Sequence, residues 1–128
     1  MITTASIRDI RPDDYDEVWA IVRSANKLHA NVKHVPVLSP SKELFWHYLD
    51  LAKTGRWNID TFESDYRPVF MKEMESPEAV AMLDHLVDLD NAGINIALVC
   101  FCADENLCHR KLIAELLTQR GCEVFHLG

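Results

Sequence analysis

Glycine is scarce in this chain of 128 residues, which has four, at positions 55, 93, 121 and 128. The first three stand where helices are expected to end and the fourth is the last residue, so none remains for a glycine-rich loop around a phosphate. A Walker A loop and the GxGxxG fingerprint of dinucleotide-binding folds are thereby excluded. Long apolar runs are missing too. The longest, residues 96–103, falls far short of the about 20 residues that a membrane-crossing helix needs. No basic-then-apolar leader opens the chain, and a cytoplasmic protein with no membrane partner is the expectation. Positive charge is in deficit, with 13 Lys and Arg against 20 Asp and Glu and a formal net charge of −7. That argues against general binding of nucleic acids or anionic membranes, whose affinity is built from Lys and Arg, but leaves room for a local basic patch. The four cysteines do not resemble a small secreted disulfide framework, because Cys100 and Cys102 alternate on an expected strand and the other two flank an expected helix. Reduced thiols are expected.

With 48% hydrophobic and 26% charged residues, the chain reads as one globular domain spanning residues 1–128. Strands are expected over residues 2–10, 17–23, 32–38, 94–102 and 122–127, the second so apolar that it should be covered on both faces. Ser39 and Pro40 look like the cap and first residue of a helix that stops at Gly55. Further helices are expected over residues 60–74, 77–91 and 106–120, the last two ending at Gly93 and Gly121. The final strand–helix–strand unit has the length of a parallel crossover. The fold expected is therefore α/β, a single-domain, mostly parallel sheet of about five strands with helices on both faces in Rossmann-like layering. The link at residues 11–16 is short for a parallel crossover, so either the first two strands are antiparallel or the first ends early.

Chemistry gathers at residues 94–110, INIALVCFCADENLCHR. Ligands of open α/β sheets bind beyond the carboxyl ends of the strands. Cys102, Asp104, Glu105, Asn106 and Cys108 all fall there, where Asn106 or Asp104 could cap the helix and set Cys108 in its first turn. Arg110 and Lys111 in that turn oppose the helix dipole at about 0.3–1 kcal/mol each, a cost that a bound anion, or Asp104 and Glu105, would offset. Arg23, ending a buried strand, points at the same edge as a second anion contact or as a surface charge. The structural alternative is that Cys108 and His109, one turn from Leu112 and Ile113, are core groups and that Arg110 is a clamp.

Spacing weighs the specific chemistries. A phosphatase loop does not fit Cys108-x-Arg110. Zinc on Cys100, Cys102, Cys108 and His109 is disfavoured, since residues two apart on a strand are roughly 6.6 Å apart while thiolates sharing a zinc lie within about 4.6 Å. No metal or cofactor is expected. His109 should point about 100° away from Cys108 on a helix, leaving His34 and His126 as alternative bases. The aromatics of residues 45–70 read as a helical layer on the sheet, although Trp46 and Trp57 fit its stripe poorly, and a base-stacking surface is the other reading.

The string LVCFCADENLCHRKL resembles the signature of the bacterial and phage family of domain of unknown function 488, through Cys100, Glu105, Cys108, His109 and Arg110. Weaker similarity runs through Leu38-Ser39-Pro40-Ser41, Phe62-x-x-x-Tyr66 and residues 121–126. Many members carry an aspartate where this chain has Ile21, so an acid–base role at that position is not expected here. The resemblance implies an α/β fold with the cluster at the sheet edge and no particular reaction. The function expected is a cysteine-containing site for a phosphate-bearing or nucleotide-like anion, with catalysis open. Cys108 and His109 would do any chemistry, and Arg110, Arg23, Asn106, Cys102 and Glu105 would bind. The alternatives are an interaction module with a structural Cys-His-Arg block and a redox sensor using Cys102 and Cys108.

Overall fold

The computed structural model describes residues 1–25, 27–102 and 105–127, and of Glu105 the backbone alone. Five parallel strands form one sheet in the order β3-β2-β4-β1-β5, with β1 at Ile2–Ser6, β2 at Glu17–Ala20, β3 at Val32–His34, β4 at Ile96–Cys100 and β5 at Val124–Leu127. β4 lies between β1 and β2, pairing Ile2 with Ile96 on one side and Glu17 with Ile96 on the other. The open question about the first two strands is thus answered: they are parallel, not neighbours, and the first ends at Ser6. Residues 7–16 are too few for a helical crossover, and they form two 3-10 turns, Ile7–Asp9 and Pro12–Asp14. The second and third strands also stop short of expectation, the third giving way to a 3-10 turn at Pro36–Leu38.

The helices are α1 (Lys42–Lys53), α2 (Ile59–Thr61), α3 (Arg67–Glu73), α4 (Pro77–Asn91) and α5 (His109–Gln119), with a π turn at Phe62–Tyr66 between α2 and α3. That turn adjoins Pro68, which has no N–H to give an α-helical bond. The cap of α1 is Ser41 rather than Ser39. Its Oγ accepts from the Leu44 amide at 3.1 Å, and its own N–H and hydroxyl donate to the Glu73 carboxylate at the end of α3.

The five-stranded α/β sheet is as expected, but its layering differs in one respect. β1→β2 and β2→β3 move toward one edge of the sheet, whereas β3→β4 and β4→β5 move toward the other. Right-handed crossovers place opposite moves on opposite faces. The second pair contains every α-helix, and the helical core residues Leu44, Phe62, Phe70, Leu83, Leu86, Leu112 and Leu117 pack with Trp19, Ile21, Ile96 and Leu98. The other face carries Ala5, Val18, Ala20, Ala97 and Val99 and is covered by Ile7, Ile10, Tyr15 and Leu28 from turns and loops. β2 and β4 are neighbours whose chains leave over opposite faces. This is the switch point at which open α/β sheets leave a crevice.

Candidate functional site

β4 ends at Cys100, so Cys102 is not on the strand. The chain returns through a 3-10 turn at Glu105–Leu107 to Cys108, which is the N-cap of α5 with extended backbone (φ −128, ψ 146) and no side-chain capping bond. Two expectations fail for this reason. The sulfurs of Cys100, Cys102 and Cys108 all lie within 4.8 Å of one another, because the strand spacing does not apply beyond Cys100. Cys108 also touches its neighbour, with Sγ 3.7 Å from His109 Nδ1, because a cap residue does not follow helical geometry.

The sulfurs of Cys100 and Cys108 are 3.1 Å apart. Arg110 Nη1 donates to Cys100 Sγ at 3.2 Å and to the Cys102 carbonyl at 2.9 Å. Hydrogen bonds from the thiols of Cys102 and Cys108, and after them the neighbouring His109 and Arg110, hold the Cys100 thiol far below its ordinary pKa against the opposing effect of burial. The proton-bearing partners move the other way: Cys102 is pushed up chiefly by its bond to Cys100, and Cys108 chiefly by burial. These directions favour a thiolate on Cys100 beside thiols on Cys102 and Cys108.

His109 is buried, which lowers its pKa. Its Nε2 lies 2.5 Å from the Ile21 carbonyl, an acceptor only, so Nε2 carries the hydrogen and Nδ1 faces Cys108 with a lone pair. Arg110 is fully buried, and its Nε and Nη2 have no partner among the described residues. It does not line the cavity described next, and its Nη1 faces the Cys100 sulfur instead.

Above the thiols, at the β2–β4 switch point, lies a cavity of about 370 Å³. Its inner surface is Cys100, Cys102, Cys108, His109 and Tyr66, its aromatic walls are Phe45, Trp46, Tyr48 and Trp57, and Arg23 and Lys42 stand at its rim. Tyr48 and Trp57 meet edge to face at 4.7 Å, and Trp57 meets Tyr66 at 5.5 Å, so the wall is braced by core aromatics. Trp46 is 58% exposed, with Lys42 Nζ 4.5 Å from its ring centre. Arg23 is exposed and forms no ion pair among the described residues. Arg56 pairs instead with Asp50, and Arg67 with Glu63 and Glu115.

Of the residues expected at the site, Cys102, Cys108, His109 and Arg23 line this cavity. Asn106 is exposed in the 3-10 turn and does not line it. Asp104 and the side chain of Glu105 lie outside the described residues. The alternative bases are elsewhere, His34 Nε2 at 2.8 Å from the Val22 carbonyl and His126 Nδ1 at 2.6 Å from Thr4 Oγ1. Sequence reasoning missed Lys42 and Tyr48 as cavity residues, while the poor fit of Trp46 and Trp57 to the core stripe was the signal available for those two.

A family model described as DUF488-N3a, the active DUF488-N3 subclade, matches residues 2–121. The chain belongs to the DUF488 family. The match takes in every strand but β5 and every residue of the DUF488 thiol cluster and cavity described above. No curated protein and no solved structure matches the chain.

Proposed function

We propose that this DUF488 protein binds a small ligand that joins a planar aromatic ring to a negatively charged group, a nucleotide being the chemical class, and holds it against a thiolate. The observation that carries this reading is the composition of the cavity at the switch point. Aromatic walls suit a base, whose face any aromatic ring can stack on. Arg23 and Lys42 at the rim suit a phosphate, which guanidinium and ammonium groups hold by charge-assisted hydrogen bonds. Cys102 is the half-buried sulfur of the cluster and the one that a ligand reaches first, with Cys100, whose thiol is held below its ordinary pKa, within 4.8 Å behind it. Cys108 and His109 sit behind it, with Arg110 as the countercharge of the cluster.

Tryptophan fluorescence tests this. A nucleoside monophosphate should quench Trp46 and Trp57 with a Kd below about 1 mM, a nucleoside should bind more weakly, and Arg23→Ala with Lys42→Ala should remove that difference. Absence of quenching by any nucleotide would leave the Cys-His-Arg block as a structural lock. A second reading has its own support in the 3.1 Å between the sulfurs of Cys100 and Cys108, which need close by only about 1 Å to bond. A redox sensor predicts a Cys100–Cys108 disulfide after mild peroxide, rather than the Cys102–Cys108 pair expected from the sequence.

A further inference from the structure

We infer that Cys100, Cys102 and Cys108 together bind one soft divalent cation of the zinc class, as three thiolate ligands with the fourth position open to the cavity. Three sulfurs from two separate segments of chain converge within 4.8 Å of one another. A tetrahedral zinc with Zn–S of about 2.3 Å sets its sulfurs about 3.8 Å apart. Cys100 and Cys108, at 3.1 Å, would spread by less than about 1 Å to reach that spacing.

The bland explanation is that these are core cysteines packed as small apolar groups. Arg110 speaks against it. A fully buried guanidinium with two nitrogens lacking a partner among the described residues is a costly neighbour for an apolar cluster. Beside a metal it has a role, because three thiolates and a divalent cation carry one net negative charge, which Arg110 neutralises through Nη1 at 3.2 Å from Cys100 Sγ. His109 stands outside the three-sulfur set, with Nδ1 3.7 Å from Cys108 Sγ and Nε2 held by the Ile21 carbonyl, so it orients a ligand rather than filling the fourth place. All three cysteines line the cavity. A cation with three protein ligands and one exchangeable position is the arrangement of catalytic rather than structural zinc sites.

The inference shares the cavity of the proposed function but does not depend on a nucleotide. The full-length protein, reduced and stripped with a chelator, is titrated with Zn2+ against a chromophoric competitor and then examined by X-ray absorption. One zinc per chain is expected, with a sulfur-dominated shell at about 2.3 Å. C102S, the variant at the least buried of the three sulfurs, should weaken binding by more than the about 10–100-fold that losing an outer partner costs. C122S, away from the cluster, should change nothing. C100S and C108S are read only if their circular dichroism is native, and C102S alone decides if it is not. No tight zinc in the wild type, a shell of nitrogen and oxygen, or a C102S protein that binds as well as wild type would overturn the inference. Nucleotide quenching of the metal-stripped protein separates the two ideas: zinc without nucleotide binding removes only the proposed function, and the reverse removes only the metal.

Discussion

Replacing Arg110 with methionine, which keeps an unbranched apolar stem of similar reach, isolates the charge that the thiol cluster needs. In the folded protein that guanidinium is fully buried and gives Nη1 to the Cys100 sulfur and to the Cys102 carbonyl. Hydrogen bonds involving a charged group contribute about 1.5–3 kcal/mol each, and breaking a buried ion pair costs about 3–5 kcal/mol. The loss is limited at both ends. Cys100 can take up a proton instead of remaining an unpaired anion, and the variant no longer buries the unpartnered Nε and Nη2. A net destabilisation of about 3 kcal/mol at neutral pH follows, which lowers Tm by about 10 °C in a chain of this size. Thermal melts of both proteins from acid to alkaline pH, with reductant and chelator present, supply the second readout. A folded-state pKa far below the unfolded value means that the unfolded chain binds the extra proton. Wild-type stability from Cys100 should therefore rise with pH up to about 8.5, the unfolded thiol value. Above that point the sign reverses, because Cys102 and Cys108 are held protonated in the fold and the unfolded chain then holds fewer protons. R110M should flatten the rising limb. A variant that melts within about 2 °C of wild type at neutral pH and keeps the same slope would refute Arg110 as the countercharge of the cluster.

Other perturbations test neighbouring parts of the account. Ser41→Ala removes both the cap of α1 and its tie to Glu73, and should cost about 1–2 kcal/mol in a denaturant titration, whereas Ser39→Ala should not match it. Leu98→Ala, at a fully buried position in β4, should cost about 2–5 kcal/mol by the same measurement. Under iodoacetamide at neutral pH, peptide mass spectrometry should find Cys102 modified first, with Cys108 and Cys122 protected until the chain unfolds, since both are buried.

Much of this fold can be read from residue pattern, and the places where the pattern misleads share one cause. α4 runs over the residues its apolar spacing marks out, and it stops before Gly93, whose φ of +81 a side chain would strain. β4 is the continuous apolar run that a central parallel strand requires. Yet β1 ends at Ser6 because its partner ends at Cys100, opposite it, and nothing near Ser6 in the sequence says so. Ser41 caps α1 in place of Ser39 because a carboxylate 32 residues away receives its hydroxyl. Gathering of the helices over one face follows from the strand order, which no local pattern encodes. The site was legible as a place and misread in detail. Extending the strand to Cys102 and the helix back through Cys108 separated groups that a turn and a cap bring into contact.

The most direct test of the central claim is a map of backbone and indole NMR shifts as a nucleoside monophosphate is added to isotopically labelled protein. The account predicts the largest changes at the Trp46 and Trp57 indoles, at Arg23 and Lys42, and at Cys102 and Cys108, with Trp19 in the core unmoved. Changes centred on another surface, or none at saturating nucleotide, would contradict it.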